Sequence, residues 1–125
     1  MKTEVLSPMV RPMQLVSREV PAEGRSIRFR VTVEGREVEA FAVRFQGVVR
    51  AYLNLCTHRA LPLDLGEGGF FSESGRTLRC KAHGARFDPT NGACVGGLCP
   101  EGSALTALRV EEREEGLYFL DVVRD

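Results

Sequence analysis

No run of eighteen apolar residues occurs in this 125-residue chain, so no membrane-spanning helix is expected. Net charge is lacking too. The 17 basic residues balance 17 acidic ones, which argues against a general nucleic-acid binder. The opening stretch, MKTEVLSPMVRPMQLVSREV, holds no apolar secretory segment and no twin arginine, and Pro8, Arg11 and Pro12 interrupt it. A cytoplasmic location follows as the expectation. In that reducing compartment, cysteines point to metal or redox work before structural disulfides. Repeats, low-complexity tracts and a long amphipathic helical pattern are missing. So is catalytic machinery, since no nucleophile–base pair and no mononuclear iron triad stands out. Histidine is scarce, with two in the whole chain, and cysteine numbers four.

What is present reads as strands. Hydrophobic residues make up 43% of the chain, enough for a core. Residues 1 to about 12 read as an extended lead. In SIRFRVTVEG, Ile27, Phe29, Val31 and Val33 share one face. Phe41, Val43 and Phe45 follow on one run, a turn is expected near Gln46-Gly47, and Val49, Ala51 and Leu53 form the return. This hairpin leads straight to Cys56. Residues 61–76 are rich in Gly, Pro and Ser and read as a loop, and Arg76 to Cys80 as a short strand. Turn signals mark Asp88-Pro89 and Asn91-Gly92. A closing hairpin has its tip near Glu114 to Gly116 and its last strand from Leu117 to Val122, with the acidic run Glu111 to Glu115 as a solvated tip. The expected class is all-β in one domain over 1–125. Base strands at about 13–54 and 100–125 flank a loop-rich lobe at about 55–99.

Both histidines stand beside cysteines: Cys56-x-His58 in CTHRALPLDLG and Cys80-x2-His83 in CKAHG. Each pair sits in a loop at a strand end, where side chains can converge without disturbing a ladder. Three readings compete. The four residues could be unrelated. They could hold structural zinc, although zinc knuckles commonly group two cysteines at one site and two histidines at the other. Or they could hold a [2Fe–2S] cluster, for which each loop would supply one ligand of each type.

The sequences CTHR…PLD and CKAHGARFD, followed by Asn91-Gly92, resemble the Rieske iron–sulfur domain, closely over about 54–100 and as a matching strand pattern elsewhere. The resemblance implies an antiparallel β base, a sandwich or partly barrel-like, with a small cluster-binding lobe. By position, Cys56 and Cys80 would hold one iron, and His58 and His83 the other through Nδ1, with Nε2 facing solvent. Neutral imidazoles in place of two thiolates leave the oxidised cluster uncharged, which raises its potential into a window of about −150 to +300 mV. The implied function is a soluble one-electron carrier. Its donor would be an NAD(P)H-dependent flavin reductase and its acceptor a terminal oxygenase or a reductase. An accessory subunit like the small subunit of assimilatory nitrite reductase is the alternative, and a zinc-stabilised interaction module stays open as a different class.

Departures from the high-potential branch refine this. Leu61 and Ala82 stand where that branch has an extra pair of disulfide-bonded cysteines, and Ala85 and Phe87 where it has Ser and Tyr hydroxyls. Without those donors the reduced cluster is less stabilised, so a potential near the bottom of the window is expected. Cys94 and Cys99 match no ligand position. They are expected to serve packing or to remain thiols, with a local disulfide as the lesser case. Gly84 and Gly92 are assigned to backbone geometry, Pro62 and Leu63 to cover over the cluster, and Phe87 to core. Arg59, Lys81 and Arg86 neighbour the ligands. They are ordinary surface charge or a positive collar that steers an acidic partner.

Overall fold

The computed structural model describes residues 13–56, 62–64, 69–82, 84–100 and 102–123. Nine strands account for its regular structure, and among the described residues there is no helix. In chain order they are β1 (Gln14–Ser17), β2 (Ser26–Val33), β3 (Arg36–Phe45), β4 (Val48–Leu53), β5 (Leu78–Arg79), β6 (Arg86–Phe87), β7 (Cys94–Gly96), β8 (Ala107–Arg113) and β9 (Gly116–Val122). Six form an antiparallel sheet in the order β1-β9-β8-β4-β3-β2, and β5-β6-β7 form a small second sheet. The larger sheet curls until its two edges approach. There the Thr32 amide of β2 donates to Oε1 of Gln14 in β1 at 3.1 Å.

Period-two patterning builds this sheet. In β2, Phe29 and Val31 are buried while Arg28, Arg30 and Thr32 are exposed. They pack inside the curl with Ala40, Ala42, Ala51, Leu108, Leu117 and Phe119, and Ile27 and Val33 lie against that cluster. The expected turn falls at Gln46 (φ 55°) and Gly47 (φ 82°). Both central residues are left-handed, the geometry that matches strand twist in a two-residue hairpin.

In β3 the four residues from Ala40 to Val43 are all fully buried, so both faces of this strand are covered. Ala40 and Ala42 face the interior of the curl. Phe41 and Val43 face the other way and, with Tyr52 of β4, form a platform under the loop-rich lobe. Phe70 stacks on Phe41 with ring centroids 4.0 Å apart, which fastens the lobe to that platform. Within the stretch read as a loop, Phe71 makes a single antiparallel bridge to Leu78.

Candidate metal centre

β4 ends at Leu53, and three residues later Cys56 lies 4% exposed. β5 ends at Arg79, and Cys80 follows it fully buried. Both belong to one apolar cluster with Phe41, Tyr52, Leu63, Phe70, Leu78, Ala85 and Phe87. Two loops far apart in sequence thus each bring a cysteine into one core. His58, Arg59 and His83 lie outside the described residues, as does Leu61. Among the described residues, no three His, Cys, Asp or Glu side chains gather into a metal site.

Local hydrogen bonds shape both loops. The Gly84 amide donates to the Cys80 carbonyl at 2.8 Å and the Cys80 amide to the Ala85 carbonyl at 2.9 Å, closing a tight turn between them. Gly84 has φ +76°, which agrees with its assignment to backbone geometry. The Lys81 amide donates to the Leu63 carbonyl at 2.9 Å, so the two loops are tied directly. Leu63 is fully buried in the cysteine cluster, while Pro62 is half-buried and lines a groove of about 320 Å³ with Val38, Leu53 and Leu55. Ala85 and Phe87 are both fully buried, Phe87 as core. Lys81 is half-exposed and Arg86 exposed on the same lobe.

One expectation is corrected. Cys94 and Cys99 are joined in a disulfide, with Cα atoms 6.2 Å apart, and are neither thiols nor simple packing residues. The physical reason is a local bend that brings the pair within bonding reach, a feature the five-residue spacing does not reveal. Cys56 and Cys80 take no part in that bond. Gly97, inside the disulfide loop, presses on the second cysteine loop. A Cβ there would meet the Gly84 carbonyl oxygen at 2.2 Å.

A second pair of residues was not singled out in the sequence, although Asp64 closes the PLD stretch of the first motif. Asn54 and Asp64 are buried polar residues beside the first cysteine loop. Asn54 Oδ1 accepts from the Leu63 amide at 2.8 Å, and its Nδ2 donates to Asp64 Oδ1 at 3.2 Å. Read in isolation, each looks like an ordinary turn residue.

The sequence profile of the Rieske [2Fe-2S] domain matches residues 12–109. The chain belongs to the Rieske [2Fe-2S] domain family. This Rieske domain is 39% identical over 77 residues to the toluene-4-sulfonate monooxygenase system iron-sulfur subunit TsaM1 of Comamonas testosteroni. That match covers 62% of this chain and 19% of the relative, so the chain spans about a fifth of the relative's length. Among solved structures, the ferredoxin of carbazole 1,9a-dioxygenase from Nocardioides aromaticivorans IC177 matches with a TM-score of 0.60 and 26% identity, over 90% of this chain and 96% of that one. The terminal oxygenase of the same system matches with a TM-score of 0.66 at 20% identity, over 92% of this chain and 31% of the oxygenase. At that identity the likeness concerns the fold.

The cofactor of this domain is a [2Fe–2S] cluster, and the described donors fit it. Cys56 and Cys80, from separate loops, belong to one apolar cluster, and apolar cover of this kind limits water and tunes potential. The family match, and not the two thiols by themselves, sets structural zinc aside.

Proposed function

We propose that this Rieske domain acts as a single unit that carries one electron at a time to a partner oxygenase. Cys56, His58, Cys80 and His83 would hold its cluster. The observation that carries this reading is the likeness to a ferredoxin over 96% of that protein's length, at 26% identity. The apolar packing around Cys56 and Cys80 supports it, because apolar cover around a cluster's ligands limits water and tunes its potential. When bound, the cluster supplies a reversible one-electron couple. The protein contributes ligands, insulation and a docking face.

The donor would be a flavin reductase and the setting the cytoplasm. No helix in the described residues is long and apolar enough to cross a membrane. Arg59, Lys81 and Arg86 would steer an acidic partner to the lobe. The buried Ala85 and Phe87 offer no hydroxyl to a cluster sulfur, which supports a potential at the low end of the family window.

Electron paramagnetic resonance before and after dithionite tests the reading. We expect a silent oxidised state, then a reduced signal with the low average g of mixed Cys/His ligation. Potentiometry should place the couple below 0 mV, in the lower part of a window of about −150 to +300 mV. Silence in both states would overturn the carrier function, and a potential well above 0 mV would overturn the account of Ala85 and Phe87.

A further inference from the structure

Asp64 is a fully buried carboxylate in a loop, a placement that is costly unless something compensates the charge. Its partners include Arg28 and Asn54. Oδ2 lies 3.5 Å from Nη1 of Arg28, whose side chain is 44% exposed. Oδ1 accepts from Asn54 Nδ2 at 3.2 Å. Arg28 is paired with Phe41 across β2 and β3, on the face that carries the lobe. The contacts continue onward. Asn54 Oδ1 accepts the Leu63 amide at 2.8 Å, and the Leu63 carbonyl accepts the Lys81 amide at 2.9 Å. Asn54 is itself anchored to β3 through its amide and the Glu39 carbonyl at 3.0 Å. One polar chain therefore runs from Arg28 in the base to the residues beside both Cys56 and Cys80.

A neutral side chain could accept the Asn54 bond without the burial cost. We propose that Asp64 is a positioning residue with a second effect. It registers the two cysteine loops on the base, and its buried negative charge holds the reduction potential of the centre down. An electron arriving at the centre adds a negative charge on the same side of the platform. In an interior of low dielectric the Asp64 carboxylate opposes that charge, and the Arg28 guanidinium 3.5 Å from Oδ2 acts in the opposite sense. This inference rests on the proposed cluster at Cys56 and Cys80.

The test compares Asp64→Asn and Arg28→Gln in the full-length, cluster-loaded protein. Iron and sulfide content and the visible spectrum are measured first, and a colourless parent protein would sink the cluster reading itself. With colour present, midpoint potentials decide. We expect Asp64→Asn to raise the affinity for the electron by about tenfold, about 59 mV for a one-electron couple. Arg28→Gln should move it in the opposite direction, because it leaves the carboxylate less compensated. Opposite signs cannot come from loosening alone. Unmoved potentials, or shifts of the same sign, would overturn the inference. Should Asp64→Asn fail to assemble, Arg28→Gln decides alone: a lowered potential supports the assignment, and an unchanged or raised one ends it. Hydrogen exchange in the cluster-loaded protein supplies the positioning readout. The Leu63 and Lys81 amides should lose protection in Asp64→Asn, and retained protection would refute the registering role.

Discussion

Tyr52 joins the two halves of the molecule through one hydroxyl. Its ring lies in the platform beside Phe41, with centroids 5.8 Å apart, and its hydroxyl donates to the Pro89 carbonyl at 2.8 Å. Gly92 makes room for the ring, since a Cβ there would lie 2.8 Å from Tyr52 Cε1. Burial pushes the phenol from 10.0 up to about 12. The Arg50 charge pulls the other way, and Asp88 adds a smaller upward push. The sign follows from the protonated form being the one that fits. The folded state holds this proton more tightly than the unfolded chain does. The associated stability is present in full below pH 10 and is lost as pH rises towards 12. Tyr52→Phe should cost about 1 kcal/mol near neutral pH through the lost hydrogen bond. It should also flatten the alkaline decline between pH 10 and 12 in denaturant titrations. An unchanged alkaline limb would show that Tyr52 is not its source.

Among elements, the loops of the lobe depend on short covalent and hydrogen-bonded closures more than on strands. β5 and β6 hold two residues each, so the ladder alone cannot rigidify the lobe. The turn after β6 is held by Asp88, whose Oδ1 accepts both the amide and the hydroxyl of Thr90 at 2.8 and 2.7 Å. These bonds, the hydroxyl's first, lower the Asp88 pKa below its ordinary value. The turn's contribution should therefore be present above the ordinary carboxylate range and fade as pH falls through the lowered value. The Cys94–Cys99 disulfide closes the neighbouring loop, where Gly97 backs Gly84. A Cys94→Ser/Cys99→Ser double variant should keep its visible spectrum, because neither residue matches a ligand position. It should lose about 2 kcal/mol of stability, as expected for so short a closed loop. A bleached protein would show that the clamp on Gly84 is indispensable to the centre.

At the scale of the whole molecule, zero net charge means that any steering must come from local placement. Lys81 and Arg86 both sit on the lobe that carries the cysteines. Reversing either charge should slow reduction of an acidic oxygenase partner, by roughly tenfold at low ionic strength, and flatten the salt dependence. Stopped-flow rates across a salt series measure both effects. A rate and slope equal to the parent's would reassign these residues to ordinary surface charge.

The all-β class, the hairpin at Gln46-Gly47 and the Cys/His spacing were legible in the sequence because each is local. Alternation, turn conformation and loop spacing are carried by neighbouring residues. The burial of Phe29 and Val31 was readable in the same way. Tertiary structure alone decided three other matters. One is that β3 serves two cores, with Ala40 and Ala42 on one side and Phe41 and Val43 on the other. Another is that Cys94 and Cys99 bend into bonding reach. The third is that Arg28, Asn54 and Asp64 meet beside the cysteine loops. Each depends on residues brought together by packing, and a buried charge or a covered second face carries no periodic mark until its partner arrives.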